Sequence, residues 1–334
     1  MTCFPGQCLT RWQLNDVRCP IVRDASLWHY RRCGGKSLVG VETMKRRLVI
    51  IPVAALLLFL AAQLQAEQKW PGMVESADGV AISFEVAGQG EPTLVFIHGW
   101  SCDARYWRAQ IPHFSRHHRV VAIDLAGHGH SGFGRAQYSM GAFGQDVNAV
   151  LDTLGAEQVI LIGHSMGGPV SVAAAASVPE RVIGIIGVDT FQSVNQAMSA
   201  EEAQSWLNPL REDFRNGARA FVAGMFIDDT DAALRDWVVA DMAAAPPEVA
   251  LSAMEQMLAG MISGEAGAAF ASIEVPIVAI NADIWPTDTA GNRQLRPGFE
   301  TVIMDNADHF LHMAKPEAFN KKLELVITGL LDQN

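Results

Sequence analysis

Residues 163 to 167 read Gly-His-Ser-Met-Gly. A serine two places from glycine on both sides is the G-x-S-x-G spacing, in which the hydroxyl serves as a nucleophile toward a carbonyl. The pattern carries chemistry only at a sharp strand-to-helix corner. There the absent Cβ atoms let backbones approach closely, and the start of the helix offers N–H groups to a developing negative charge. A serine nucleophile also needs a base, an acid that orients the base, and a second oxyanion donor. His309, in Asp308-His309-Phe310, is the candidate base, because it falls in the loop after the last strand-like run. His98-Gly99-Trp100 follows an earlier apolar run, so the Trp100 amide can face the site beside the Met166 amide. His117 and His118 lie in a polar turn, and His128 and His130 precede the serine and lack a third metal ligand at sensible spacing. No metal site or cofactor is expected.

The elements around these residues have the required form. Gln158–Ile162 is short, continuous and rich in β-branched residues, as a strand buried on both faces should be, and Pro169–Val178 reads as a packed helix of small residues. Thr93–Ile97, Val182–Val188, Pro276–Ile280 and Phe299–Met304 read as further strands, and a long amphipathic helix starts near Lys315-Pro316-Glu317. Ala77-Asp78-Gly79 marks a hairpin between Met73–Glu75 and Val80–Phe84. Between Asp189 and Pro276 no run resembles a strand. That stretch is helical in spacing and carries Trp206, Phe214, Phe221, Met225, Phe226, Trp237 and Met242. Most of these should pack the helices and a minority should line an acyl or aromatic pocket.

Taken in order across roughly residues 70 to 332, His98-Gly99-Trp100, the turn Asp124–Ser131, the corner Gly163–Gly167 and His309-Phe310 resemble the α/β-hydrolase family, in its branch with a His-Gly-X oxyanion loop. The resemblance implies an α/β fold: a mostly parallel central sheet with helices on both faces and a helical cap inserted at about residues 190–275. It also implies an enzyme that cleaves an ester, thioester or lactone of a small apolar molecule through an acyl-enzyme on Ser165. Dehalogenases and epoxide hydrolases of the family carry an aspartate at the corner, so the serine speaks against their chemistry. The family's orienting acid usually follows the strand before the histidine strand. Simple alignment puts Trp285 at that position, so Asp283 is preferred in a shortened loop. Asp189 is the alternative, from a family variant with the acid one strand earlier, and Asp288 comes third. Asp308 adjoins His309 and cannot easily reach round to its ring. Acyl transfer to peroxide or an alcohol is an alternative use of the same site, and a non-catalytic ligand-binding protein on this scaffold is a third reading.

The remaining sequence bounds location and partners. Residues 44–66, MKRRLVIIPVAALLLFLAAQLQA, read as a secretory signal peptide, with an apolar stretch shorter than a spanning helix wants. An exported protein, periplasmic or secreted, is expected, with no stable span once the signal is cleaved; an uncleaved anchor is the alternative. Residues 1–43 hold four of the five cysteines in no zinc spacing and read as a start-site extension. The chain of 334 residues has a formal charge of −11; without residues 1–66 it holds 16 Lys+Arg against 33 Asp+Glu, a net of −17. That surface disfavours nucleic acid and anionic membranes and leaves a small-molecule acyl compound as the expected partner. Residues 67–334 retain one cysteine, Cys102, so they contain no internal disulfide. They form the expected hydrolase domain. Oligomeric state is not encoded in any of these features.

Overall fold

The computed structural model describes residues 71–333. The expected extension and signal peptide lie outside the described residues. Among the described residues no helix is long and apolar enough to cross a membrane.

Eight strands form one sheet in the order β1-β2-β4-β3-β5-β6-β7-β8. They are β1 (Gly72–Glu75), β2 (Ala81–Ala87), β3 (Thr93–Ile97), β4 (Val120–Asp124), β5 (Val159–His164), β6 (Val182–Val188), β7 (Ile277–Ala282) and β8 (Glu300–Met304). The first two strands pair as the expected hairpin and β2 pairs antiparallel to β4; every other pairing is parallel. The central strands are apolar throughout because each face of the sheet has its own core. Val95, Ile97, Val121, Ile123, Val159 and Leu161 enter one cluster, and their neighbours Leu94, Phe96, Val120, Ala122, Ile160 and Ile162 enter the other. Alternation thus divides the side chains between two buried layers instead of between core and water.

Parallel strands need crossovers, and these supply the covering helices. α1 (Met140–Leu154) leads into β5, α2 (Gly167–Ser177) leaves it, and five helices separate β6 from β7. The five are α3 (Ala200–Glu212), α4 (Phe214–Ala223), α5 (Ala232–Met242), α6 (Pro247–Ser263) and α7 (Glu265–Ser272). A short α8 (Thr289–Leu295) precedes β8, and α9 (Pro316–Leu331) closes the described chain. Register aligns the carboxyl ends of the site strands: Ile97 pairs with Gly163, His164 with Val188, and Val188 with Ile280. The residues singled out in the sequence therefore emerge along one edge of the sheet, where open α/β sheets bind their ligands.

Candidate active site

Ser165 follows β5 with a φ of 51° and is the turn into α2. A left-handed conformation is unfavourable for a residue with a Cβ, and here the neighbours enforce it. The Ser165 amide donates to the Val188 carbonyl at 3.0 Å, and the Ser165 carbonyl accepts from the Gly168 amide at 2.9 Å. The glycines make the corner possible. A Cβ on Gly163 would sit 2.1 Å from the Gly167 carbonyl oxygen, and one on Gly167 would sit 2.4 Å from the Ile97 carbonyl oxygen. These are contacts with backbone, so no rotamer change relieves them.

The loop after β3 packs against this corner; a Cβ on Gly99 would meet the Ser165 Cβ at 3.2 Å. His98 shapes that loop from inside the core. Its Nε2 accepts from the Leu125 amide at 3.0 Å, which leaves the proton on Nδ1 to be donated to the Gly99 carbonyl at 2.8 Å. Burial holds the ring below its usual pKa, consistent with that neutral tautomer. The Trp100 indole donates to the Ala250 carbonyl of α6 at 2.7 Å and ties the loop to the cap. Among the described residues, the backbone amides of Trp100 and Met166 have no protein acceptor, and both residues line the cavity that contains Ser165.

His309 lines the same cavity and is fixed on three sides. Its amide donates to the Met225 carbonyl of the cap at 3.1 Å, and its carbonyl accepts from His164 Nε2 at 2.9 Å. Its Nδ1 lies 2.5 Å from Asp189 Oδ2. Asp189 directly follows β6 with a φ of 46°, is buried, and takes the Ala282 amide on its other oxygen at 2.9 Å. Asn281 holds the next residue in both directions. Its Oδ1 accepts from the Thr190 amide at 3.1 Å and its Nδ2 donates to the Thr190 carbonyl at 3.0 Å. With a carboxylate on Nδ1, the imidazole keeps its proton there and presents Nε2 as an acceptor.

The structure brings Asp189, the alternative in the sequence, to the His309 ring and leaves Asp283, the preferred candidate, away from it. Asp283 is exposed, and its carboxylate accepts the amides of Asn306 and Ala307 at 2.8 and 3.0 Å; these contacts lower its pKa. It braces the stem of the loop that carries His309 and does not meet the ring. The cause lies in strand order. His164 on β5 pulls the His309 backbone inward past β7, so the strand end that meets the imidazole is that of β6. Asp288 caps α8 through the Gly291 amide at 2.8 Å. Trp285 lies edge-on to the His309 ring with centroids 5.3 Å apart.

The cavity measures about 1110 Å³ and runs from the corner beneath the cap. Four of the seven aromatic and methionine residues noted in the insertion line it (Trp206, Phe221, Met225 and Met242), more than the expected minority. Phe226 instead stacks on Phe310 at 5.1 Å, Trp237 packs on Tyr106 at 5.1 Å, and Phe214 meets Trp100 edge-on at 6.2 Å. Sequence reasoning missed His164 and Asn281 as supports; each is a buried polar residue on an apolar strand, the one signal that could have marked them. Among the described residues no group of His, Cys, Asp and Glu could hold a metal ion.

The family described as the alpha/beta hydrolase fold matches residues 92–248. The chain is 25% identical to a 2-(acetamidomethylene)succinate hydrolase of Mesorhizobium japonicum over 265 residues, spanning 76% of this chain and 92% of that protein. It is 26% identical to a 3-oxoadipate enol-lactonase of Acinetobacter baylyi over 261 residues, spanning 75% and 95% of the two chains. A solved structure described as an N-acyl homoserine lactone degrading enzyme superposes with a TM-score of 0.64 at 26% identity, spanning 76% of this chain and 99% of that one. Strand order, corner and kinship agree: the chain has the α/β-hydrolase fold, and its residues 92–248 match that family.

Proposed function

We propose that this protein is a serine hydrolase that cleaves an ester or lactone through an acyl-enzyme on Ser165. One arrangement carries the reading: a serine held at a strained corner and a histidine oriented by a buried carboxylate open onto one apolar cavity. Relatives named as a succinate-derivative hydrolase, an enol-lactonase and a lactone-degrading enzyme support hydrolysis of a carboxylic acid derivative.

In this mechanism Ser165 Oγ attacks the carbonyl carbon and passes its proton to His309 Nε2. Asp189 holds the ring and stabilises the imidazolium that forms. The oxyanion accepts the amides of Trp100 and Met166, at the start of α2 where the helix dipole adds favourable charge. The tetrahedral intermediate collapses, the C–O bond to the leaving group breaks, and His309 returns the proton to the departing alkoxide. Water then attacks the acyl carbon and gives a proton to His309. The second collapse breaks the bond to Oγ, which takes that proton back, and the carboxylic acid leaves.

The test is labelling by a fluorophosphonate probe together with ester hydrolysis, measured with and without added alcohol or peroxide. The reading expects a Ser165 adduct, absent in Ser165→Ala, and a hydrolysis rate that does not depend on the acceptors. Hydrolysis that proceeds while Ser165 stays unlabelled would contradict it.

A further inference from the structure

The wall of the cavity over Ser165 carries a cluster of thioethers. Seven of its lining residues are methionine. Met140 comes from α1, Met225 and Met242 from the cap, and Met254, Met257 and Met261 lie at helical spacing along one face of α6. Methionine is apolar, unbranched and able to reshape itself around flexible ligands.

The charges around this wall are one-sided. No Lys or Arg is among the described residues that line the cavity. Its two carboxylates are Asp189, which faces His309, and Glu265, exposed at the start of α7. The remaining polar lining groups include the neutral amides of Gln192, Asn195 and Gln256. Such groups can bond a carbonyl or an amide but cannot neutralise a buried anion, whose desolvation is costly without a cationic partner. The cavity also has length. It follows the start of α2 from Met166, just before the helix, to Ala173, a run of roughly 10 Å at the helical rise per residue. The acyl group remains bonded to Ser165 until water attacks, so it is the part of the substrate that must stay in this space.

We propose that the cavity is an acyl pocket for an uncharged, flexible aliphatic chain longer than acetyl, and that it rejects acyl groups ending in a carboxylate. This rests on the serine hydrolase reading. Chains carrying a neutral carbonyl or amide fall within the class, because the side-chain amides can receive them.

The experiment compares kcat/KM for p-nitrophenyl acetate, hexanoate and octanoate with that for mono-p-nitrophenyl adipate. The adipate ester has the acyl length of the hexanoate and differs by its terminal carboxylate. The pocket should favour hexanoate and octanoate over acetate by about tenfold or more and hexanoate over adipate by about 100-fold or more. Met257→Lys and Met261→Lys each bring an ammonium to the wall. The hexanoate-to-adipate ratio, taken within each variant so that the folded fraction cancels, should fall by about tenfold. Equal turnover of hexanoate and adipate, or a preference for acetate, overturns the acyl class while a Ser165 adduct with fluorophosphonate leaves the hydrolase standing. No ester cleaved and no adduct overturns both.

Discussion

Asp189 Oδ2 lies 2.5 Å from His309 Nδ1, across 120 residues of chain. The carboxylate thus comes from the strand adjacent to that of the serine, and the histidine loop reaches back over β7 to meet it. Each partner is anchored independently of the other. Ala282 and Asn281 fix the turn that holds Asp189, and His164 and Met225 fix the backbone of His309.

That arrangement separates two carboxylates that the sequence leaves as alternatives. Asp189→Asn should leave the fold intact, disturb the imidazole tautomer, and lower kcat by up to about 10⁴-fold. Asp283→Asn removes one of two acceptors for the Asn306 and Ala307 amides; it should cost about tenfold or less in kcat and loosen the loop locally. Steady-state kinetics of the two variants check this. A larger loss from Asp283→Asn would reverse the assignment.

How much of the site could be read before the fold was known follows from this pair. The corner at Ser165 was legible because its constraint is local: the glycines that permit it lie within two residues of the serine. β3, β5, β6 and β8 were legible as apolar runs, and His309 from its place after the last of them. Asp189 was weighed but not preferred, because the choice depends on the lateral order of β5, β6, β7 and β8 and on the path of residues 305–310. Those are long-range relationships that no local pattern encodes. The cap was legible as helices, but which of its large side chains face the cavity depends on how five helices pack above the sheet, so the expectation of a minority fell short.

The corner itself can be tested through stability. Gly163→Ala places a methyl 2.1 Å from the Gly167 carbonyl oxygen and should destabilise the protein by roughly 2 kcal/mol or more, with loss of activity. Ser165→Ala, in contrast, should abolish turnover and leave the denaturation midpoint nearly unchanged. Chemical denaturation of both variants distinguishes a geometric requirement from a chemical one.

Glu85 supplies a pH-dependent test away from the site. Burial, reinforced by the negative charges of Asp124 and Asp103, pushes its carboxyl up to about 7 from 4.5. Between those values the folded protein holds a proton that the unfolded chain has lost, so ionisation on raising the pH through that window opposes folding. Glu85→Gln should therefore raise Tm relative to the parent at about pH 8, with the difference shrinking toward about pH 5. His128 and His312, both pushed to about 3 chiefly by burial, titrate with the opposite sign, but they are common to the two proteins and cancel in the difference. A gap in Tm that is constant across that range would contradict this account of Glu85.

The central claim is a covalent acyl intermediate on Ser165, and mass spectrometry of the protein quenched during turnover of a slow ester observes it directly. The account predicts a mass increase equal to the acyl group, located on the peptide containing Ser165, released on standing and lost in Ser165→Ala. It also predicts accumulation of the adduct in Asp189→Asn only to the extent that deacylation is slowed more than acylation. Active enzyme with no acyl adduct on that peptide, or a Ser165→Ala protein of normal activity, would contradict the claim.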